Sequence, residues 1–112
     1  MQYILLIYVR EDLPFDPAVM KDYVEISREL RAAGKLQASE PLMPTPSATS
    51  VRIRDGETLI TDGPFAETRE ALGGFYLIEA KDLDEALAVA KRLPAAKTGT
   101  IEVRPVRAAN SS

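Results

Sequence analysis

Neither cysteine nor histidine occurs among the 112 residues. Without cysteine there is no disulfide framework and no thiol nucleophile. Without histidine the commonest general base is gone, and with both missing so are the usual zinc ligands. A chain with no cysteine suits a cytoplasmic protein, which is the expected location. Positive charge is also short: 14 Lys and Arg stand against 17 Asp and Glu, for a net charge of −3. Nucleic-acid binding needs a cationic footprint, so no such partner is expected. No apolar run approaches the roughly 20 residues of a membrane span, and no membrane partner is expected. The opening run Tyr3–Val9 has no positive segment before it and no small-residue cleavage site after it, unlike a signal peptide. Gly73-Gly74 precedes an expected strand instead of opening a helix, so it is no phosphate cradle. No spaced acidic loop offers a magnesium or calcium site, and neither metal nor cofactor is expected.

What is present reads as one α+β domain. Residues 2–9 are rich in β-branched and aromatic types, and both alternating sets, Ile4/Leu6/Tyr8 and Tyr3/Leu5/Ile7/Val9, are apolar. A strand covered on both faces has that pattern. Asp16-Pro17 is an N-cap followed by a first-turn proline. Val19, Met20, Tyr23, Ile26, Leu30 and Ala33 then form an apolar stripe, and Gly34 stands at the C-cap. Leu36–Glu40 is a short strand, followed by a loop stiffened by Pro41, Pro44 and Pro46 that could rim a pocket. Asp55-Gly56 between alternating runs predicts a hairpin, and a strand is expected from Phe75 to Glu79. Asp82-Leu83-Asp84-Glu85 resembles a capping box opening a helix that should run to about Leu93, with Leu83, Ala86, Leu87, Ala90 and Leu93 inward. Pro94 ends it, Thr100–Arg104 is a last strand, and the residues from Pro105 on form a fraying tail.

Two strand–helix–strand halves around a hairpin suit a ferredoxin-like antiparallel sheet with both helices on one face. Strands apolar on both faces would then leave an exposed apolar sheet, which a second copy would cover. A homodimer is therefore expected.

Chemistry has to come from carboxylates, hydroxyls, tyrosines and arginines. The segment Asp62-Gly63-Pro64-Phe65-Ala66-Glu67-Thr68 combines a glycine free to take positive φ with a proline of fixed φ. Such a turn holds Asp62 and Glu67 in defined places beside a sheet. Asp62, Glu67 and Glu40 are candidate acids or bases if burial raises their pKa. Arg69, Arg10 or Arg54 could grip a carboxylate with a forked hydrogen-bond pair. Tyr8 and Tyr76, on neighbouring strands, could offer hydroxyls at a pocket mouth. Each has a plainer role open to it: turn capping for Asp62, solvated loop for Glu67 and Arg69, core or interface packing for the tyrosines. Gly74-Phe75-Tyr76 in such a sheet faintly resembles an RNA-binding strand, but no basic residue precedes the glycine and the net charge has the wrong sign.

Four stretches together resemble the YCII-related family in its DGPF branch. They are Tyr3–Tyr8, Glu29–Gly34 with Glu40, Thr61–Thr68 with Gly73–Tyr76, and Ile101–Val106. The resemblance implies a dimeric α+β barrel domain over residues 1–106, a tail over 107–112, and a pocket between sheet and helices. It also implies a regulatory link to alternative sigma factors. Some relatives use a His–Asp pair for lyase-like or dehalogenating chemistry, and this chain lacks the histidine. The expected site has Asp62 as catalytic group, with Tyr8, Glu40, Gly63, Pro64, Phe65, Glu67 and Arg69 around a small organic ligand. A non-catalytic interaction module is the alternative.

Overall fold

The computed structural model describes residues 1–14, 16–66 and 68–108. Its strands are β1 (Gln2–Val9), β2 (Leu36–Pro41), β3 (Thr49–Arg54), β4 (Glu57–Asp62), β5 (Ala71–Glu79) and β6 (Thr100–Pro105). Its helices are α1 (Pro17–Ala32), α2 (Leu83–Ala90) and the single turn α3 (Ala95–Thr98), with a 3-10 turn at Thr45–Ser47. Among the described residues no helix is long and apolar enough to cross a membrane.

Four strands form one antiparallel sheet in the order β2-β5-β1-β6. In each strand–helix–strand half the two strands are separated by a strand of the other half, which is the ferredoxin-like split arrangement. Strands β3 and β4 pair only with each other, inserted between β2 and β5. Their turn has positive φ at both Asp55 (52°) and Gly56 (79°), the type I′ geometry that matches strand twist.

Local signals act as the sequence leads one to expect at the start and end of α1. The Asp16 carboxylate accepts from Ala18 N at 2.9 Å, and Gly34 has φ 72° while Lys35 N donates back to Leu30 O at 2.9 Å. The inward stripe is narrower than the periodicity suggests: Ile26 and Leu30 are buried, whereas Met20 and Ala33 are exposed. On α2 only half of the capping box forms. Asp82 accepts from Glu85 N at 2.9 Å, while the Glu85 carboxylate pairs with Lys35 Nζ at 3.2 Å. That helix stops at Ala90, three residues early, and the chain re-coils as α3 after Pro94; Val89 is buried and Leu83 is exposed. Proline in a first turn starts a helix as readily as it ends one. Strand β5 begins at Ala71, so Gly73-Gly74 lies inside it, at a bulge opposite Ile7/Tyr8. Pro105 completes β6, and Val106 N still bonds Gln2 O at 2.9 Å, so pairing outlasts the expected start of the tail.

The core lies between the helices and one face of the sheet. Tyr3, Leu5 and Ile7 of β1 and Tyr76 and Ile78 of β5 meet Ile26, Leu30, Ala86, Val89, Ala90, Leu93 and Ala95. Tyr76 Oη donates to Tyr23 O at 3.1 Å and shares a 2.6 Å bond with Ser27 Oγ, while Tyr23 Oη accepts from Ala95 N at 3.1 Å. Both phenols are thus hydrogen-bonded within the fold, and burial pushes the pKa of both up. The opposite face carries Ile4, Leu6 and Tyr8 of β1 beside Leu77, Phe75 and Leu72 of β5, with no helix over it.

Candidate functional site

The signature turn meets the proline loop where the β3–β4 hairpin joins the body. Gly63 has φ 101°, donates its N–H to Ala48 O at 2.6 Å, and accepts from Ser50 Oγ at 2.9 Å. These bonds tie the end of β4 to the start of β3 and present Pro64 at a fixed angle. The proline loop is tied in turn to the β1–α1 connection. The Glu11 carboxylate accepts from Thr45 N at 2.9 Å and from Thr45 Oγ1 at 2.5 Å. On the far side Thr68 Oγ1 donates to Glu70 O, and the Glu70 carboxylate accepts from Thr100 Oγ1 at 2.7 Å, fastening the segment to β6.

Between these ties lies a cleft of about 380 Å³ lined by Thr45, Pro46, Pro64, Ala66, Thr68 and Ala71. That volume sits at the small end of ligand pockets. The lining side chains are rings and methyl groups, with two hydroxyls and no titratable side chain among the described residues. A hydroxyl has one proton to give and two lone pairs. Thr45 gives its proton to Glu11 and Thr68 gives its proton to a carbonyl, so both are left as acceptors. The cleft therefore suits a small molecule that brings its own O–H or N–H donors.

A second groove of about 440 Å³ lies on the hairpin, lined by Val51, Arg52, Ile53, Arg54 and Phe65. The Arg52 guanidinium stands over the Phe65 ring at 4.8 Å, a cation–π contact.

The residues singled out in the sequence divide between these places. Pro64 lines the cleft and Gly63 sets its angle; Phe65 lines the hairpin groove. Asp62 is the exposed last residue of β4 and makes no side-chain hydrogen bond or ion pair among the described residues. Glu40 is exposed on edge strand β2, and Arg69 is exposed near Asp12. Glu67 lies outside the described residues. Arg10 spends its fork on Asp12, with bonds of 3.1 and 2.6 Å that hold the Asp12 carboxyl below its ordinary range. Arg54 donates to Ile53 O at 2.9 Å, far out on the hairpin.

Tyr8 and Tyr76 do not share a pocket mouth. Leu5 pairs with Tyr76 and Tyr8 with Leu72, so pleat parity sends the two rings to opposite faces. Tyr8 donates to Glu102 Oε1 at 3.3 Å on the open face. Burial first, then the Glu102 carboxylate, pushes its phenol pKa up, with Arg104 opposing. The cleft residues outside the sequence-predicted site are Thr45, Pro46, Ala66, Thr68 and Ala71. Of these only Pro46 sent a signal, as part of a stiff loop able to rim a pocket.

Known proteins share both sequence and fold with this chain. The model of the YCII-related domain matches residues 1–110. An uncharacterized protein of Rhizobium meliloti (strain 1021) is 48% identical over 93 residues, covering 81% of this chain and 75% of that protein. The solved structure of 5-chloro-2-hydroxyhydroquinone dehydrochlorinase from Burkholderia phenoliruptrix AC1100, in complex with 2,5-dihydroxybenzoquinone, superimposes with a TM-score of 0.53. At 16% identity, over 96% of this chain and 94% of that one, it shares the fold. The ferredoxin-like sheet, the inserted hairpin and the turn at Gly63 are thus those of a member of the YCII-related family.

Proposed function

We propose that the protein binds a small, flat organic molecule carrying hydroxyl or N–H donors in the cleft between Pro64 and Pro46, and that it does so as a homodimer. The observation that carries the ligand reading is the state of the two threonine hydroxyls, both already used as donors. Proline and alanine walls add apolar contact without charge. A protein of the same fold holds a small quinone ring, which supports a ligand of that size. With no titratable group lining the cleft among the described residues, binding is the reading and turnover is not part of it.

The dimer rests on the open sheet face. Ile4, Leu6, Phe75 and Leu77 form an apolar patch that the two helices do not cover, and a second copy packed sheet to sheet removes it from water.

Titration calorimetry with hydroquinone and with its dimethyl ether tests the ligand reading. Hydroquinone should bind, its ether should not, and Thr45→Val or Thr68→Val should each weaken binding by about fivefold, the worth of one ordinary hydrogen bond. Equal binding of the ether, or undiminished binding by the double variant, contradicts it. Sedimentation showing a 12.3 kDa monomer at 100 micromolar contradicts the dimer.

A further inference from the structure

The β3–β4 hairpin is built like a half-buried sheet, yet among the described residues nothing of its own chain buries it. Its register puts Thr49, Val51 and Ile53 on one face with Thr58, Ile60 and Asp62. The other face carries Ser50, Arg52, Arg54, Glu57, Leu59 and Thr61. One face is thus aliphatic at its centre and the other charged, the alternation of a strand packed on one side. But Val51, Ile53 and Ile60 are 64%, 65% and 69% exposed. Among the described residues both outer edges of the hairpin are also unpaired. A lone two-stranded hairpin is marginally stable in water, so one of this pattern needs a surface to lie on.

The overall dimensions say how large that surface is. The chain exposes 8204 Å², whereas a folded monomer of 12.3 kDa exposes about 6,100 Å². The excess is about 2,000 Å². A radius of gyration of 16.0 Å, against about 13 Å for a compact chain of this length, agrees. A standard dimer interface needs only about 800 Å² from each partner. The excess is therefore ample for a second copy to use both the sheet face and the hairpin.

We infer that the β3–β4 hairpin is an arm that clasps a second copy of this chain, its Val51/Ile53/Ile60 face lying on the partner. The inference rests on the homodimer proposed above and adds the arm to its interface. In a two-fold dimer each copy gives an arm and receives one. The arm's root carries Pro64 and Ala66, two walls of the ligand cleft, so clasping also fixes the shape of that cleft.

Amide hydrogen exchange and sedimentation of the full chain, at sub-micromolar and at 100 micromolar concentration, test this together. In the wild type, amides of residues 51–60 should exchange at least tenfold more slowly at the higher concentration. Ile53→Lys and Ile60→Lys should each weaken dimerisation by tenfold or more while the β1 and β5 amides keep their protection. A wild-type dimer whose arm amides exchange equally fast at both concentrations overturns the arm and leaves the sheet-face dimer standing. So does a dimer undiminished in both lysine variants. A wild type that stays monomeric at 100 micromolar overturns both.

Discussion

The sheet body and the β3–β4 arm are made from similar residues and have opposite fates. In β1 the side chains Tyr3, Leu5 and Ile7 are buried under two helices; in the arm Val51, Ile53 and Ile60, of similar apolar type, stand in solvent. The difference is one of connection. Each body strand is followed or preceded by a helix that folds back over it, whereas the arm is entered from a proline loop and left through Gly63-Pro64, neither of which can cover it. Composition decides what a strand wants to bury, and topology decides whether the same chain can do it.

The largest test of that contrast lies in the body at Gly99. A Cβ there would stand 2.1 Å from the Tyr8 carbonyl oxygen, a backbone atom that cannot swing away. Gly99→Ala should cost more than about 3 kcal/mol or prevent folding, as read by urea unfolding. Next is Leu5, fully buried at 0% exposure. Leu5→Ala should cost about 3–4 kcal/mol, whereas Ile53→Ala, measured dilute enough for the monomer, should stay within about 0.5 kcal/mol. Comparable losses at the two sites would erase the distinction between body and arm.

At the joint between them, Gly63 has φ 101° and open space where a Cβ would sit. Gly63→Ala should therefore cost only the conformational penalty, roughly 1 kcal/mol. An unchanged midpoint would show that the turn relaxes freely.

The fold was legible in the sequence because its signals are local and redundant. Asp16, Gly34, Asp55-Gly56 and Asp82 each specify a cap or turn by their own backbone chemistry, and two strand–helix–strand halves leave few ways to assemble. The site was much less so. Charged and catalytic residue types point to Asp62, Glu40 and Arg69, while the candidate cleft is walled by proline, alanine and threonine, whose only sequence signals are the Gly63-Pro64 turn and the stiff proline loop. Tyr8 and Tyr76 lie on neighbouring strands, but the register that sets Tyr76 opposite Leu5, and so on the other face from Tyr8, is a long-range pairing that strand adjacency does not reveal. The early stop of α2 has the same character, since Pro94 can end one helix or begin another.

Alkaline pH offers a smaller and graded test. The phenols of Tyr23 and Tyr76 have pKa values raised by burial above the ordinary 10.0, and that of Tyr8 is raised by burial and by Glu102. Above pH 10 the unfolded chain loses these protons first and the folded chain holds them, so stability should be intact below pH 10 and fall as pH rises past it. Replacing Tyr23 and Tyr76 with Phe should flatten that decline in a urea-midpoint series. The smallest effect belongs to Asp62, exposed and without a partner among the described residues. Asp62→Asn should change stability by less than about 0.5 kcal/mol and hydroquinone affinity by less than twofold.

The most direct test of the whole account is a backbone-amide NMR titration of the isotopically labelled protein with hydroquinone at 100 micromolar protein. If the body folds by itself and function gathers where the arm joins it, shifts will concentrate in residues 45–48 and 63–71 and fade along β1 and at the Asp55-Gly56 tip. Shifts confined to the sheet core or to the arm tip, or none at millimolar ligand, would contradict it.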